Sequence, residues 1–180
     1  MEPTSRKYLF FDLDGTLTDS MPGIARAVQY ALRRFGIDVQ DLAALKPFLG
    51  PPLRDSFMEF YGMSPEEADR AVAVSREYFV PRGMFENELY PGIPELLAAT
   101  AAAGRVNVIA TSKPQPFAER IAAHFGIDRH FRLISGSTFD GRRKTKADVI
   151  RHALSALGIA PGEAVMIGDR RYDVEGAAEE

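Results

Sequence analysis

The sequence has 180 residues, 46% hydrophobic and 26% charged, with 22 Lys and Arg against 25 Asp and Glu for a formal net charge of -3. That balance excludes bulk electrostatic attraction to nucleic acid or an anionic membrane, while the apolar fraction is enough for a globular core of one domain with room for an insertion. There is no cysteine, hence no disulfide, thiolate metal site or cysteine nucleophile; with no apolar run near the ~18 residues of a membrane span, a cytoplasmic enzyme or binding domain is expected.

In chain order, the first apolar run is Tyr8-Leu9-Phe10-Phe11, which stops at Asp12. Helical spacing follows at Ile24, Ala27, Val28, Ala31, Leu32 and Phe35, and Gly36 can end that helix. Leu53, Phe57, Phe60 and Tyr61 predict a second, shorter helix. Ser64-Pro65-Glu66-Glu67 reads as a capping box with Pro at the first helical position, opening a helix that turns Ala68, Ala71, Val72, Ser75 and Phe79 inward. From Leu17 to Phe85 there are helices but no convincing strand. Pro81, Gly83 and the stretch to Pro91-Gly92 then look like a linker.

Beyond the linker, strand-length runs return at Val106 to Ala110, Phe131 to Ile134 and Ala164 to Gly168, ending at Thr111, Ser135 and Asp169. Helical patterns lie before and between them: Ile93, Leu96 and Leu97; Phe117, Ile121 and Phe125; and Val149, Ile150, Ala153, Leu154 and Leu157. Unalternated apolar strands separated by helices predict a parallel sheet covered on both faces. Ligands of such sheets bind outside the carboxyl ends of the strands, where the polar residues fall.

The densest chemistry is the string Phe11-Asp12-Leu13-Asp14-Gly15-Thr16-Leu17-Thr18-Asp19-Ser20. An isolated Asp-x-Asp is ordinarily a turn with local caps. Directly after an apolar strand, two such carboxylates can hold Mg²⁺, and one can attack an electrophile while the other handles protons. Gly15 permits a turn that brings backbone donors close to a ligand.

This string, followed by Val108-Ile109-Ala110-Thr111-Ser112-Lys113-Pro114, a lysine before Ala147-Asp148-Val149-Ile150, and Val165-Met166-Ile167-Gly168-Asp169-Arg170-Arg171-Tyr172-Asp173-Val174, resembles the four ordered motifs of the haloacid dehalogenase superfamily. The closest likeness is to its phosphoglycolate-phosphatase-like and 5′-nucleotidase-like members with a helical cap. The resemblance implies a Rossmann-like α/β core from 1–16 and 86–180, with a helical cap inserted at 17–85. It implies Asp12 as a nucleophile that forms an aspartyl-phosphate. Asp14 would be the acid that protonates the leaving oxygen and the base that then activates water, its backbone carbonyl reaching the cation. Thr111 would donate to the phosphoryl group, and Lys146, rather than Lys144, would pair with it. Asp169 would ligate Mg²⁺ directly, with Asp173 supporting the metal or orienting Lys146. Gly15, Thr16 and Ser112 are expected at the phosphoryl group, and Arg54 at a substrate anion from a cap loop near Gly50-Pro51-Pro52. Arg54 on a solvated helix face is the equal alternative, and His124, His130 and His152 read as packing or surface residues.

Crowding Asp12, Asp14, Asp169 and Asp173 together requires compensation, which a divalent cation and Lys146 supply. All-oxygen ligands favour Mg²⁺ over zinc. The expected activity is hydrolysis of a small phosphomonoester by a monomer or homodimer. A β-phosphoglucomutase-like mutase keeps all four motifs, and a truncated inactive or binding member is the other alternative. Relatives continue past the fourth motif with more helix, at least one strand and a closing helix, so an uncovered sheet edge is expected unless the protein is longer or a neighbouring subunit covers it.

Overall fold

A computed structural model describes residues 6–180; the first five residues of the expected core segment 1–16 lie outside the described residues. In chain order the strands are β1 (Tyr8–Phe11), β2 (Thr18–Asp19), β3 (Glu88–Leu89), β4 (Val106–Pro114), β5 (Phe131–Ser137) and β6 (Ala164–Ile167). The α-helices are α1 (Met21–Arg34), α2 (Leu53–Tyr61), α3 (Pro65–Phe79), α4 (Ile93–Ala102), α5 (Gln115–His124), α6 (Lys146–Leu157) and α7 (Arg171–Ala178). The chain divides into two compact units, Asp19–Glu88 and the remainder on either side of it.

The larger unit is α/β. Its sheet has the order β5-β4-β1-β6, with every pairing parallel. Tyr8 to Phe11 lie in register with Val106 to Ile109 on one side and Ala164 to Ile167 on the other. The unalternated apolarity has a direct cause, because both faces are covered. Phe10, Val108 and Ala110 pack with Val149, Ile150, Ala153 and Leu154 of α6. Phe11 and Ile109, one residue further along each strand, are buried as well. Leu97 of α4 is fully buried, but Leu96, expected in the same apolar pattern, is 44% exposed. Strand β4 continues beyond Ala110 through Thr111, Ser112 and Lys113, which matters for the site.

The smaller unit is predominantly helical. Ala25, Val28, Ala31 and Leu32 of α1 meet Phe57 of α2 and Ala68 and Ala71 of α3, with Leu45 and Phe48 from a 3₁₀ stretch, Leu42–Phe48. Helix α1 ends at Arg34, and the chain turns at Gly36. The capping box at Ser64 is formed: its hydroxyl accepts from the Glu67 amide, and the Glu67 carboxylate accepts from the Ser64 amide at 2.9 Å. The interval 17–85 is not strand-free, since β2 lies within it and pairs with β3. Two-residue strands carry no periodicity to read. Among the described residues, no helix is long and apolar enough to cross a membrane.

Candidate active site

The strand order brings three strand ends side by side, with β1 central between β4 and β6. Asp12 is the first residue beyond β1, and its amide donates to the Ile167 carbonyl of β6 at 2.9 Å. Asp169 follows β6 by two residues, and Thr111 lies near the end of β4. The site thus forms where crossovers leave the central strand in opposite directions, the usual ligand crevice of an open parallel sheet.

Lys146, the first residue of α6, ties these strands together. Its ammonium lies 3.0 Å from Asp12 Oδ1, 2.8 Å from Asp173 Oδ1 and donates to the Ala110 carbonyl at 3.1 Å. The ammonium is thus held by two carboxylates and a carbonyl, and its side chain is 4% exposed. The local sequence explains the placement. Thr145 caps α6 by accepting from the Asp148 amide, so Lys146 starts the helix buried while Lys144 stays outside, exposed.

The Asp12 carboxylate also accepts from the Leu13 amide at 2.8 Å. Burial pushes its pKa above the ordinary carboxylate value, while Lys146 and a hydrogen bond from Thr111 pull it back down. Asp173 is buried and accepts from the Arg170 amide through Oδ2 at 3.0 Å. Asp169 is more exposed and pairs with the Arg170 guanidinium at 3.0 Å. One oxygen from each of Asp12, Asp169 and Asp173 falls within 4.8 Å of the others, an all-carboxylate cluster suited to a hard divalent cation. The turn that follows Asp12 closes around Asp169: Gly15 has φ of 84°, and a Cβ there would lie 2.5 Å from Asp169 Oδ2.

Asp14 lies outside that carboxylate cluster. Its Oδ2 pairs with Lys113 Nζ at 2.7 Å, with side chains 22% and 6% exposed. Its Oδ1 is buried with no hydrogen-bond partner among the described residues, as is the Thr16 hydroxyl. Lys113, buried, occupies the place beside Thr111 that was expected of Ser112, which is exposed. The readable signal was strand alternation, which puts residues 111 and 113 on one face and 112 on the other. Arg54 is in the helical unit, where its guanidinium pairs with Asp69 at 2.8 Å and both side chains are largely exposed. His152 accepts or donates at Ser135 Oγ at 2.9 Å, and burial lowers its pKa.

Four carboxylates (Asp12, Asp14, Asp169 and Asp173) therefore meet three cationic groups (Lys113, Lys146 and Arg170), a net charge of -1. That excess, with only oxygen donors in the acidic cluster, fits a divalent cation and an anionic substrate bound together.

Known proteins resemble this chain along nearly its whole length. The chain is 51% identical over 170 residues to a 5′-nucleotidase of Pseudomonas aeruginosa, covering 94% of this chain and 77% of that protein. It is 42% identical over 174 residues to the tyrosine-protein kinase PtkA of Mycobacterium tuberculosis, covering 97% of this chain but 59% of that protein. The crystal structure of a predicted phosphatase from Clostridium acetobutylicum superposes with a TM-score of 0.91 at 49% identity, covering 96% of this chain and 80% of that one. The family model described as haloacid dehalogenase-like hydrolase matches residues 7–179, and the chain belongs to that family.

Proposed function

We propose that this hydrolase is a Mg²⁺-dependent phosphomonoesterase that acts on a small phosphorylated metabolite, of the nucleotide 5′-monophosphate or phosphoglycolate type, through an aspartyl-phosphate at Asp12. The observation that carries the reading is the buried Lys146 between Asp12 and Asp173 beside a second acid, Asp14, with its own lysine. That arrangement separates a nucleophile from an acid–base group two residues away.

In the first half-reaction, an Asp12 oxygen attacks phosphorus while the ester P–O bond breaks. Asp14 delivers its proton to the leaving oxygen. In the second, Asp14 takes a proton from water as the water attacks phosphorus, and Asp12 leaves as a carboxylate. Lys146 neutralises the transferring group and keeps Asp12 aimed at it, and the Thr111 hydroxyl shares that task. Gly15 and Thr16 bound the phosphoryl pocket, whereas Ser112, exposed on the strand face opposite Thr111, is left out of it. Asp12, Asp169, Asp173 and the Asp14 backbone carbonyl would hold Mg²⁺, which supplies Lewis-acid stabilisation of the phosphoryl oxygens. The helical segment 17–85 selects the substrate in this reading, and Arg54, paired with Asp69 on an exposed helix face, fits the solvated alternative rather than a substrate contact. We place the protein in the cytoplasm as a monomer or homodimer.

A second reading is favoured by the 42% identity to a protein named as a kinase. In it the phosphoryl group of Asp12 passes to an acceptor hydroxyl rather than to water, as a sugar-phosphate mutase also requires. The test is phosphate release from nucleotide monophosphates, phosphoglycolate and sugar phosphates, with Mg²⁺ and with chelator, beside the Asp12→Asn variant. Hydrolysis that needs Mg²⁺ and vanishes in the folded variant supports the proposal. Isomerised sugar phosphate in place of free phosphate supports transfer, and phosphate release by pure Asp12→Asn refutes the reading.

A further inference from the structure

We propose that Lys113 is a positioning residue for the acid–base step, holding Asp14 by Oδ2 so that Oδ1 is the oxygen that carries the transferred proton; this rests on the phosphomonoesterase reading above. The two oxygens of Asp14 have different surroundings. Oδ2 is 2.7 Å from the Lys113 ammonium, whereas Oδ1 is buried with no hydrogen-bond partner among the described residues. A carboxyl group held by an ammonium at one oxygen bears its proton on the other, because the adjacent positive charge disfavours protonation of the oxygen it holds. The free oxygen is thereby left for a group the protein itself does not supply.

The strand end fixes the lysine as well. Thr111 and Lys113 are buried and Ser112 is exposed, the alternation of an extended strand. The Lys113 amide donates to the Thr111 hydroxyl at 3.2 Å, and that hydroxyl in turn hydrogen-bonds Asp12. One stretch of β4 therefore orients both carboxylates of the Asp12-Leu13-Asp14 pair, the first through a hydroxyl and the second through a lysine. When Asp14 gives its proton to the leaving oxygen, the ester P–O bond breaks and the bond from Asp12 to phosphorus forms. The carboxylate that remains on Asp14 is already beside a cation that needs no rearrangement.

This role predicts a dependence on the leaving group. An alkyl alcohol needs the proton as it departs, whereas p-nitrophenolate leaves without it. The experiment measures kcat/KM, which reports phosphoryl transfer to Asp12, for glycerol phosphate and p-nitrophenyl phosphate. Lys113→Met is expected to lose on the order of 10²-fold on the alkyl ester and far less on the aryl ester. Lys113→Arg, which keeps the charge, should retain more of the alkyl-ester rate. Adding Lys113→Met to Asp14→Asn should cost little further, because both act through one carboxylate. Should Lys113→Met fail to fold, Lys113→Gln is read in the same way. Equal losses on both esters, as a phosphoryl-binding or purely structural lysine would give, overturn the proposal, as do additive losses in the double variant. Phosphate release by Asp12→Asn, or none by the wild type, overturns the phosphomonoesterase reading and this one with it.

Discussion

Replacing Gly15 by alanine tests the turn that joins the first motif to the fourth. Gly15 has φ of 84°, so any side chain pays a left-handed backbone cost of about 1–2 kcal/mol. A Cβ would also stand 2.5 Å from Asp169 Oδ2 and 2.7 Å from its Cγ. Ordinary contact begins at 3.4 Å, so the carboxylate must retreat by about 0.9 Å. Gly104 provides the control: φ is 73° and nothing lies within 4 Å of its Cβ position. Both alanine variants should lose about 1–2 kcal/mol in urea unfolding. Only Gly15→Ala should also weaken Mg²⁺ binding in calorimetric titration and lower turnover, by on the order of 10²-fold for a displacement near 1 Å. Equal Mg²⁺ affinity and turnover in the two variants would refute the claim that the Gly15 turn positions Asp169.

Lys146→Met strands Asp12 and Asp173 without their shared cation and should cost about 3–5 kcal/mol in urea unfolding under chelator; a loss below about 1 kcal/mol contradicts the pairing. The pKa of Asp12 is raised by burial in the folded state, so its contribution to stability is fullest below the ordinary value of 3.8 and is lost as pH rises above it. Asp12→Asn, with no charge to bury, should therefore melt higher than the wild type at neutral pH without cation, the gain shrinking as pH falls towards that value. A gain that grows on acidification would contradict the assignment. In the helical unit, Ser64→Ala removes a formed capping box and should cost about 1 kcal/mol, read from chemical unfolding.

The central strands β1 and β4 were legible because their apolar residues are covered on both faces, which writes a continuous apolar run into the sequence, and the edge strands β5 and β6 carry shorter runs of the same kind although they are less buried. Their order was not legible, and the order is what sets Asp12 between Thr111 and Asp169. Strands β2 and β3 escaped notice because two residues hold no pattern, and the 3₁₀ stretch Leu42–Phe48 contains Pro47, which reads as a breaker. Motif likeness located the carboxylates and Lys146 as the cation between them, but not Lys113 beside Asp14 or Arg170 beside Asp169. The pairing of Asp14 with Lys113 depends on strand alternation continuing past the apolar run, where hydropathy no longer marks it. The pairing of Arg54 with Asp69 joins α2 to α3 across 15 residues, a tertiary contact with no local signature.

The central claim is that the phosphoryl group passes through Asp12. The direct measurement is acid quenching during turnover of p-nitrophenyl phosphate, followed by mass analysis of the peptide that carries Asp12. A phosphoryl increment on that peptide, absent from Asp12→Asn, is the predicted result. Turnover with the increment on another residue, or undiminished turnover by Asp12→Asn, would contradict it.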